Sequence, residues 1–258
     1  MNRHMLGRAS AIAAWVAAIG LLSTACGTSS PGSSGPATNS GGSSSSQSTS
    51  PASSGQSTPT VSSGSVPFPI AVGNTWTYDS TTATGTSTVV DKVVSVSPVP
   101  GGNQVTMSNQ IGSAAPTDIT YVFHSNGTIT YPFNQYGSSL KIISGTIEWP
   151  SAASIAAGQA SSSTVVMALT SNGATQDVTA HITVKGGGTT SVTVPAGTYT
   201  ATIVQMTESF EMLGHSGSIV VRDYMASGVG PVQDEATLSI AGVNETVAQL
   251  KLVSFTQG

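Results

Sequence analysis

One cysteine, Cys26, is all this 258-residue chain contains, and charged residues make up only 7% of it. A lone thiol excludes an intrachain disulfide, so any folded part must be held by its core. Seven basic residues face eleven acidic ones, a formal net charge of −4, with no basic stripe. That balance argues against nucleic acid as a partner and makes anionic membrane surfaces poor ones. Aromatics are scarce too, at 5%. The apolar run Ala9–Leu22 has 14 residues and as a helix would span about 21 Å. A bilayer core of ~30 Å needs more.

What is there begins with that run. Arg3 and Arg8 precede it and small residues follow it, the order of a secretory signal peptide over residues 1–25. The segment Leu21-Leu22-Ser23-Thr24-Ala25-Cys26-Gly27 resembles a lipobox, the signal for diacylglyceryl transfer to a cysteine sulfur. Thr24 and Ala25 fit the pattern. Ser23 departs from it, since an aliphatic residue is preferred there, and a plain secretory signal stays open as the alternative. The resemblance implies at least two acyl chains on Cys26, which anchor stably where one chain binds only marginally. The expected location is the outer face of the cell membrane, with the lipid as the membrane contact. Without the modification the protein is expected to be secreted.

Residues 26–66 form the second unit, the lipidated cysteine and a linker. Gly27 to Val66 carry no charge and are almost entirely Ser, Gly, Thr, Pro and Ala. Such a segment buries too little apolar surface to offset the entropy of ordering it, so disorder is expected. As a flexible coil, forty residues have a root-mean-square span of about 35 Å. The composition suits equally a spacer and an O-glycosylated stalk.

Residues 67–258 read as a single all-β domain. Removing Arg3 and Arg8 with the leader leaves five basic residues against eleven acidic, a net charge of −6. Period-two patterns dominate: Val178, Ala180, Ile182 and Val184 alternate with Thr179, His181, Thr183 and Lys185. Val204, Met206, Phe210 and Met212 do the same, with Glu208 as the one intruder on the apolar side. Strands with one wet face belong to antiparallel sheets. Asn126-Gly127 predicts a two-residue type I′ hairpin, and Asn172-Gly173 repeats the signal. Pro195-Ala196-Gly197 suits a type I turn. Ser151–Ala157 alone could start a short helix, with Gly158 ending it. The pattern predicts an all-β antiparallel meander of ten to twelve strands.

Three segments carry a family resemblance: Val72-Gly73-Asn74-Thr75-Trp76-Thr77-Tyr78, Val192 to Tyr199 with its Val-Pro-Ala-Gly-Thr-Tyr turn, and Tyr224 to Val232. In this order they resemble a group of exported bacterial β-domains of unknown function, often lipoproteins. The resemblance implies a strongly curved antiparallel sheet, a partly closed barrel comparable to lipoprotein carriers and mycobacterial lipid-binding lipoproteins. It brings no catalytic residues.

The residues themselves supply little chemistry. His124, His181 and His215 do not stand at metal-ligand spacing with a carboxylate. Gly214-His215-Ser216-Gly217-Ser218 misses the G-x-S-x-G elbow at its last position, and that elbow needs a following helix. Asp234-Glu235 and Glu208 with Glu211 are the acidic clusters. Paired carboxylates can hydrolyse glycosides when suitably spaced, but a salt bridge from Glu208 to Arg222 or Lys251 is the plainer account. Gly101-Gly102 and Gly186-Gly187-Gly188 lack the lysine and helix of a phosphate cradle. Trp76, Tyr78, Trp149 and Tyr199 suit a core better than a sugar or lipid site. No cofactor, metal or catalytic residue is expected. The expected function is a membrane-anchored, non-enzymatic envelope module binding an apolar ligand, a glycan or a partner protein. A structural component of the envelope is the alternative, and an exported hydrolase a third.

Overall fold

The computed structural model describes residues 68–258 apart from 84, 132–139, 172–173, 213–214 and 241–242. The signal peptide, Cys26 and the linker therefore lie outside the described residues. The strands are β1 (Thr75–Thr82), β2 (Gly85–Val99), β3 (Gly102–Ile111), β4 (Thr117–His124), β5 (Ile129–Tyr131), β6 (Leu140–Ser144) and β7 (Ile147–Trp149). After a short helix α1 (Ala152–Ala156) come β8 (Ala160–Ser171), β9 (Ala174–Val194), β10 (Gly197–Met212), β11 (His215–Ala226), β12 (Gly230–Ile240) and β13 (Val243–Thr256). All thirteen belong to one antiparallel sheet. The count exceeds the expected ten to twelve because β5 and β7 have three residues each, too few to show an alternation.

The chain runs once around this sheet. β8 to β13 form one meander and β1 to β5 another, and the first strand pairs with the last between them. The two edges, β6 and β7, are consecutive in the chain and joined by Gly145-Thr146 alone. Edges that close in sequence must also be close in space, so the sheet curls back on itself. It is a barrel closed by the chain and not by hydrogen bonds. At the seam a side chain on Gly145 would meet the Thr164 carbonyl of β8 at 2.3 Å, and Gly145 has φ +89. Only glycine lets the backbones approach this closely.

The turns follow local chemistry. Ser151 caps α1 by accepting from the Ser154 amide, and Gly158 leaves it at φ +68. Pro195-Ala196 connect the paired Val194 and Gly197. The Ser171–Ala174 pair closes around Asn172-Gly173 as expected, although those two residues lie outside the described ones. Asn126-Gly127 differs from expectation. The His124 amide donates to the Thr128 carbonyl and the Gly127 amide to the His124 carbonyl, so three residues are enclosed rather than two. Asn126 Oδ1 accepts from the Thr128 amide and hydroxyl at 3.0 and 2.9 Å. That side chain favours the longer loop.

Inward-facing side chains make one core. Trp76, Val89, Val105, Val165, Ile219 and Leu252, on six different strands, expose 0–1% of their surface. The three segments singled out in the sequence meet at one end of the barrel. Trp76 Nε1 donates to the Val229 carbonyl at 2.6 Å, and the Tyr78 hydroxyl donates to the Pro231 carbonyl at 3.1 Å. The Ala196 amide, at the tip of the Val-Pro-Ala-Gly-Thr-Tyr turn, donates to the Leu252 carbonyl at 3.0 Å. A β-bulge skips Val253 at this point in the β1–β13 ladder. Phe68 and Phe255 flank the Trp76 ring at centroid distances of 4.9 and 5.1 Å.

Two outcomes test this architecture. Trp76→Ala is expected to cost about 3–5 kcal/mol, the usual loss for a buried large aromatic, read as a lower urea midpoint. Gly145→Ala is expected to cost more than Gly112→Ala in the same assay. Both glycines have positive φ, a cost of about 1–2 kcal/mol to alanine, but nothing lies within 4 Å of a side chain at Gly112. Equal losses would mean that the seam is not tight.

Candidate functional site

Alternation along the strands separates two chemistries. The inner face is apolar, and its exceptions on the strands are few: Ser80, Asp91, Asn109, Glu208 and Asp234 are buried. Asp91 Oδ1 accepts from Asn109 Nδ2 at 2.6 Å on the neighbouring strand. The outer face is built of Ser, Thr, Gln and Asn with sparse charge, and it holds the cavity of interest.

That cavity is a groove of about 770 Å³ on β9 to β12. Its floor is a row set by strand register. His181 on β9 stands opposite Ser209 on β10, Ser209 opposite Ser218 on β11, and Ser218 opposite Ser239 on β12. One step towards the hairpin tips, Glu211 pairs with Ser216, and Asp177 and Thr179 complete the lining on β9. Thr164 Oγ1 and His181 Nδ1 are 3.1 Å apart. Among the described residues that line the groove, none is Lys or Arg. The groove lies far from the chain's entry. Gly230, against Phe68, pairs with Ala226 and hence with Ala201. Eight residues on from Ala201 is Ser209, about 26 Å at 3.3 Å per residue.

The structure sorts the sequence candidates. Glu208 points inward and Glu211 outward, with 2% exposure for the first. Asp234 points inward at 3% while Glu235 faces outward. Neither acidic pair can act on one bond. Arg222 is exposed, on the face opposite Glu208, and stands beside Glu235, so the Glu208–Arg222 bridge does not form. His124 Nε2 lies 2.7 Å from Thr130 Oγ1, and His215 opens β11 opposite Met212. Among the described residues no group of three His, Cys, Asp or Glu could hold a metal ion. Trp76, Tyr78 and Trp149 are core residues, and Tyr199 donates its hydroxyl to the Ala196 carbonyl at 3.3 Å. Sequence reasoning placed His181 on the wet face but missed the groove. Its signal was the outward serines at matched register on three strands, with His181 on a fourth, which pairing alone makes adjacent.

A second polar knot stands on the same outer face. Glu235 Oε1 accepts from Gln233 Nε2 and Gln249 Nε2 at 2.9 and 3.0 Å. Glu235 Oε2 accepts from the Tyr224 hydroxyl at 3.4 Å. Burial, and then the Glu235 charge, hold the Tyr224 phenol above its ordinary 10.0.

Fold and surface together define an all-β domain of one curled sheet, packed within and grooved without. The chain belongs to the DUF3108-like family, whose pattern matches residues 71–237. Among solved structures it is similar to a candidate lipoprotein from Parabacteroides distasonis ATCC 8503. That likeness has 17% identity and a TM-score of 0.52, over 76% of this chain and 100% of the other. It is also similar to a candidate exported protein with a YmcC-like fold from Bacteroides fragilis NCTC 9343. There the identity is 18% and the TM-score 0.49, over 74% of this chain and 98% of the other. No curated protein matches the sequence significantly.

Tyr224 gives a pH prediction. The folded protein holds the phenolic proton more tightly than the unfolded chain does. Its contribution is therefore complete below pH 10 and is lost as pH rises through the folded-state value. The difference in thermal midpoint between wild type and Tyr224→Phe should shrink as pH is raised above 10. A constant difference would show that the folded protein does not hold this phenol above its ordinary value.

Proposed function

We propose that the protein is an envelope lipoprotein, a non-enzymatic binding module tethered through Cys26 to the outer face of the cell membrane, which takes its ligand on the outside of its sheet. The observation that carries this reading is a packed interior beside an open outer groove of about 770 Å³. Side chains on nine strands have no water-accessible surface, which speaks against an internal site for an apolar ligand. A groove of that size is within the range of ligand sites. The separation of Glu208 from Glu211, and of Asp234 from Glu235, by the plane of the sheet supports a role without catalysis.

The tether rests on the leader, the lipobox resemblance and the uncharged linker. The Parabacteroides protein of like fold is itself described as a candidate lipoprotein, in keeping with that address. A structural component of the envelope is the second reading, favoured by the same filled interior. It differs in needing no ligand in the groove.

In cells, full-length Cys26→Ala is expected in the medium while wild type stays with the membrane; retention of the variant would overturn the tether. Detergent-solubilised full-length protein is expected to co-sediment with isolated cell wall. Failure to do so would favour the structural reading.

A further inference from the structure

We infer that the outer groove of β9 to β12 is a binding site for a linear oligosaccharide of neutral or amino-bearing sugars, presented at the end of the domain away from its tether. The inference rests on the binding-module reading and names its ligand class.

Three properties of the groove select that class. The first is its donor and acceptor set. Five hydroxyls (Thr179, Ser209, Ser216, Ser218 and Ser239) share the lining with Asp177, Glu211 and His181. Hydroxyls both donate and accept, carboxylates accept only, and an imidazole nitrogen does either by tautomer. A polyol matches this set, because each of its own hydroxyls can give one bond and receive others. An apolar ligand would strip water from all of these groups and return nothing, at roughly 1–3 kcal/mol for each group left unsatisfied.

The second property is charge. Asp177 and Glu211 put two carboxylates in the lining, and no Lys or Arg stands among its described residues. Phosphate or carboxylate polymers would meet repulsion without a compensating cation. An ammonium on a sugar would instead gain a charge-assisted hydrogen bond, about twice as strong as a neutral one.

The third is periodicity. Ser209, Ser218 and Ser239 lie on successive strands at one register level, so their hydroxyls recur about every 4.8 Å. A chain laid across the strands meets one hydroxyl per strand, with His181 closing the row on β9. Thr164 Oγ1 engages His181 Nδ1, so Nε2 is the imidazole nitrogen a ligand would meet. A protein partner would need an apolar centre in the contact. The groove offers Ile240 and the 3%-exposed Phe210.

Position adds to this. The groove is about 26 Å of strand away from Gly230, which packs against Phe68 at the start of the described residues, and the coil expected from the linker's composition would add about 35 Å. The site is thereby carried outward from the membrane, and many anchored copies can share one polymer, so that weak single contacts sum.

The test uses full-length protein in detergent, titrated with fluorescent chitosan and chitin hexamers and with polygalacturonate as the anionic control. Saturable binding of the two hexamers and none of the polyanion is expected. Ser209→Leu with Ser218→Leu, which fills the groove, should weaken both hexamers by roughly tenfold or more. Asp177→Asn with Glu211→Gln should weaken chitosan more than chitin. Thr193→Leu, at the opposite end of the barrel, should change neither. Hydrogen exchange on the wild type should show added protection around Ser209 and Ser218 with hexamer, a reading independent of variant folding. No hexamer binding, binding that the serine variants leave intact, or protection elsewhere would overturn the assignment. Wall co-sedimentation that survives the groove variants would overturn it while leaving the binding-module reading in place.

Discussion

The pairing of the first strand with the last is the constraint on which this molecule depends. Thr75 stands opposite Thr256, 181 residues away, so the ladder between β1 and β13 forms only after the chain has gone around the barrel. Closing so long a loop costs entropy before any contact rewards it, and folds dominated by such pairings form slowly. The junction is accordingly over-determined. Trp76 lies between Phe68 and Phe255 and donates to Val229. Asn74, buried at 2%, accepts from the Gly258 amide and donates to the Pro69 carbonyl. Three distant segments are thereby pinned at one end of the barrel without a disulfide. The motifs that gave the sequence its family likeness are this lock, and they are structural.

With the lock at one end, function is free to sit at the other. The hairpin ends between β10 and β11 and between β12 and β13 lie remote from Trp76, and the outward residues beside them are not needed for closure. Inner and outer faces answer to different demands. Inside, removing any large side chain leaves a void. Outside, threonines at exposed strand positions hydrogen-bond across strands, as Thr193 with Thr198 and Thr170 with Thr175 do at 3.0 and 2.9 Å. Such a face tolerates a groove because its polar groups remain wet when it is empty.

Much of this was legible in the chain. Period-two alternation marked β9, β10 and β12, glycine and proline marked the turns, and Ser151 with Gly158 bounded the short helix α1. Glu208 was visible as a polar residue on an apolar face, and it is buried there. What failed to show depends on partners rather than on periodicity. Alternation says which face a residue takes but not which strand lies beside it, so the meeting of β1 with β13 and the return of β6 and β7 to one seam were hidden. The same ambiguity misassigned the Glu208–Arg222 bridge, since near numbers on neighbouring strands can still face opposite ways. The groove is the clearest case. Ser209, Ser218 and Ser239 are each ordinary outward serines, and only a shared register level makes them a surface.

The scarcity of charge, which argues against nucleic acid and anionic membranes as partners, fits the proposed hydroxyl-lined surface. A charged outer face would be drawn to or driven from the polymers around it according to salt, because exposed charges are screened within about 10 Å at ordinary ionic strength. Hydroxyl recognition is indifferent to salt and depends on geometry, which a hydrogen-bonded sheet supplies by fixing one side chain per strand. Such contacts are weak one at a time. The proposed anchor would convert them into useful affinity, because a tethered site meets its polymer again at high local concentration after each release. The leader, the linker and the grooved sheet are on this view parts of one physical device. In the proposed arrangement the lipid would supply residence, and the barrel the polar floor.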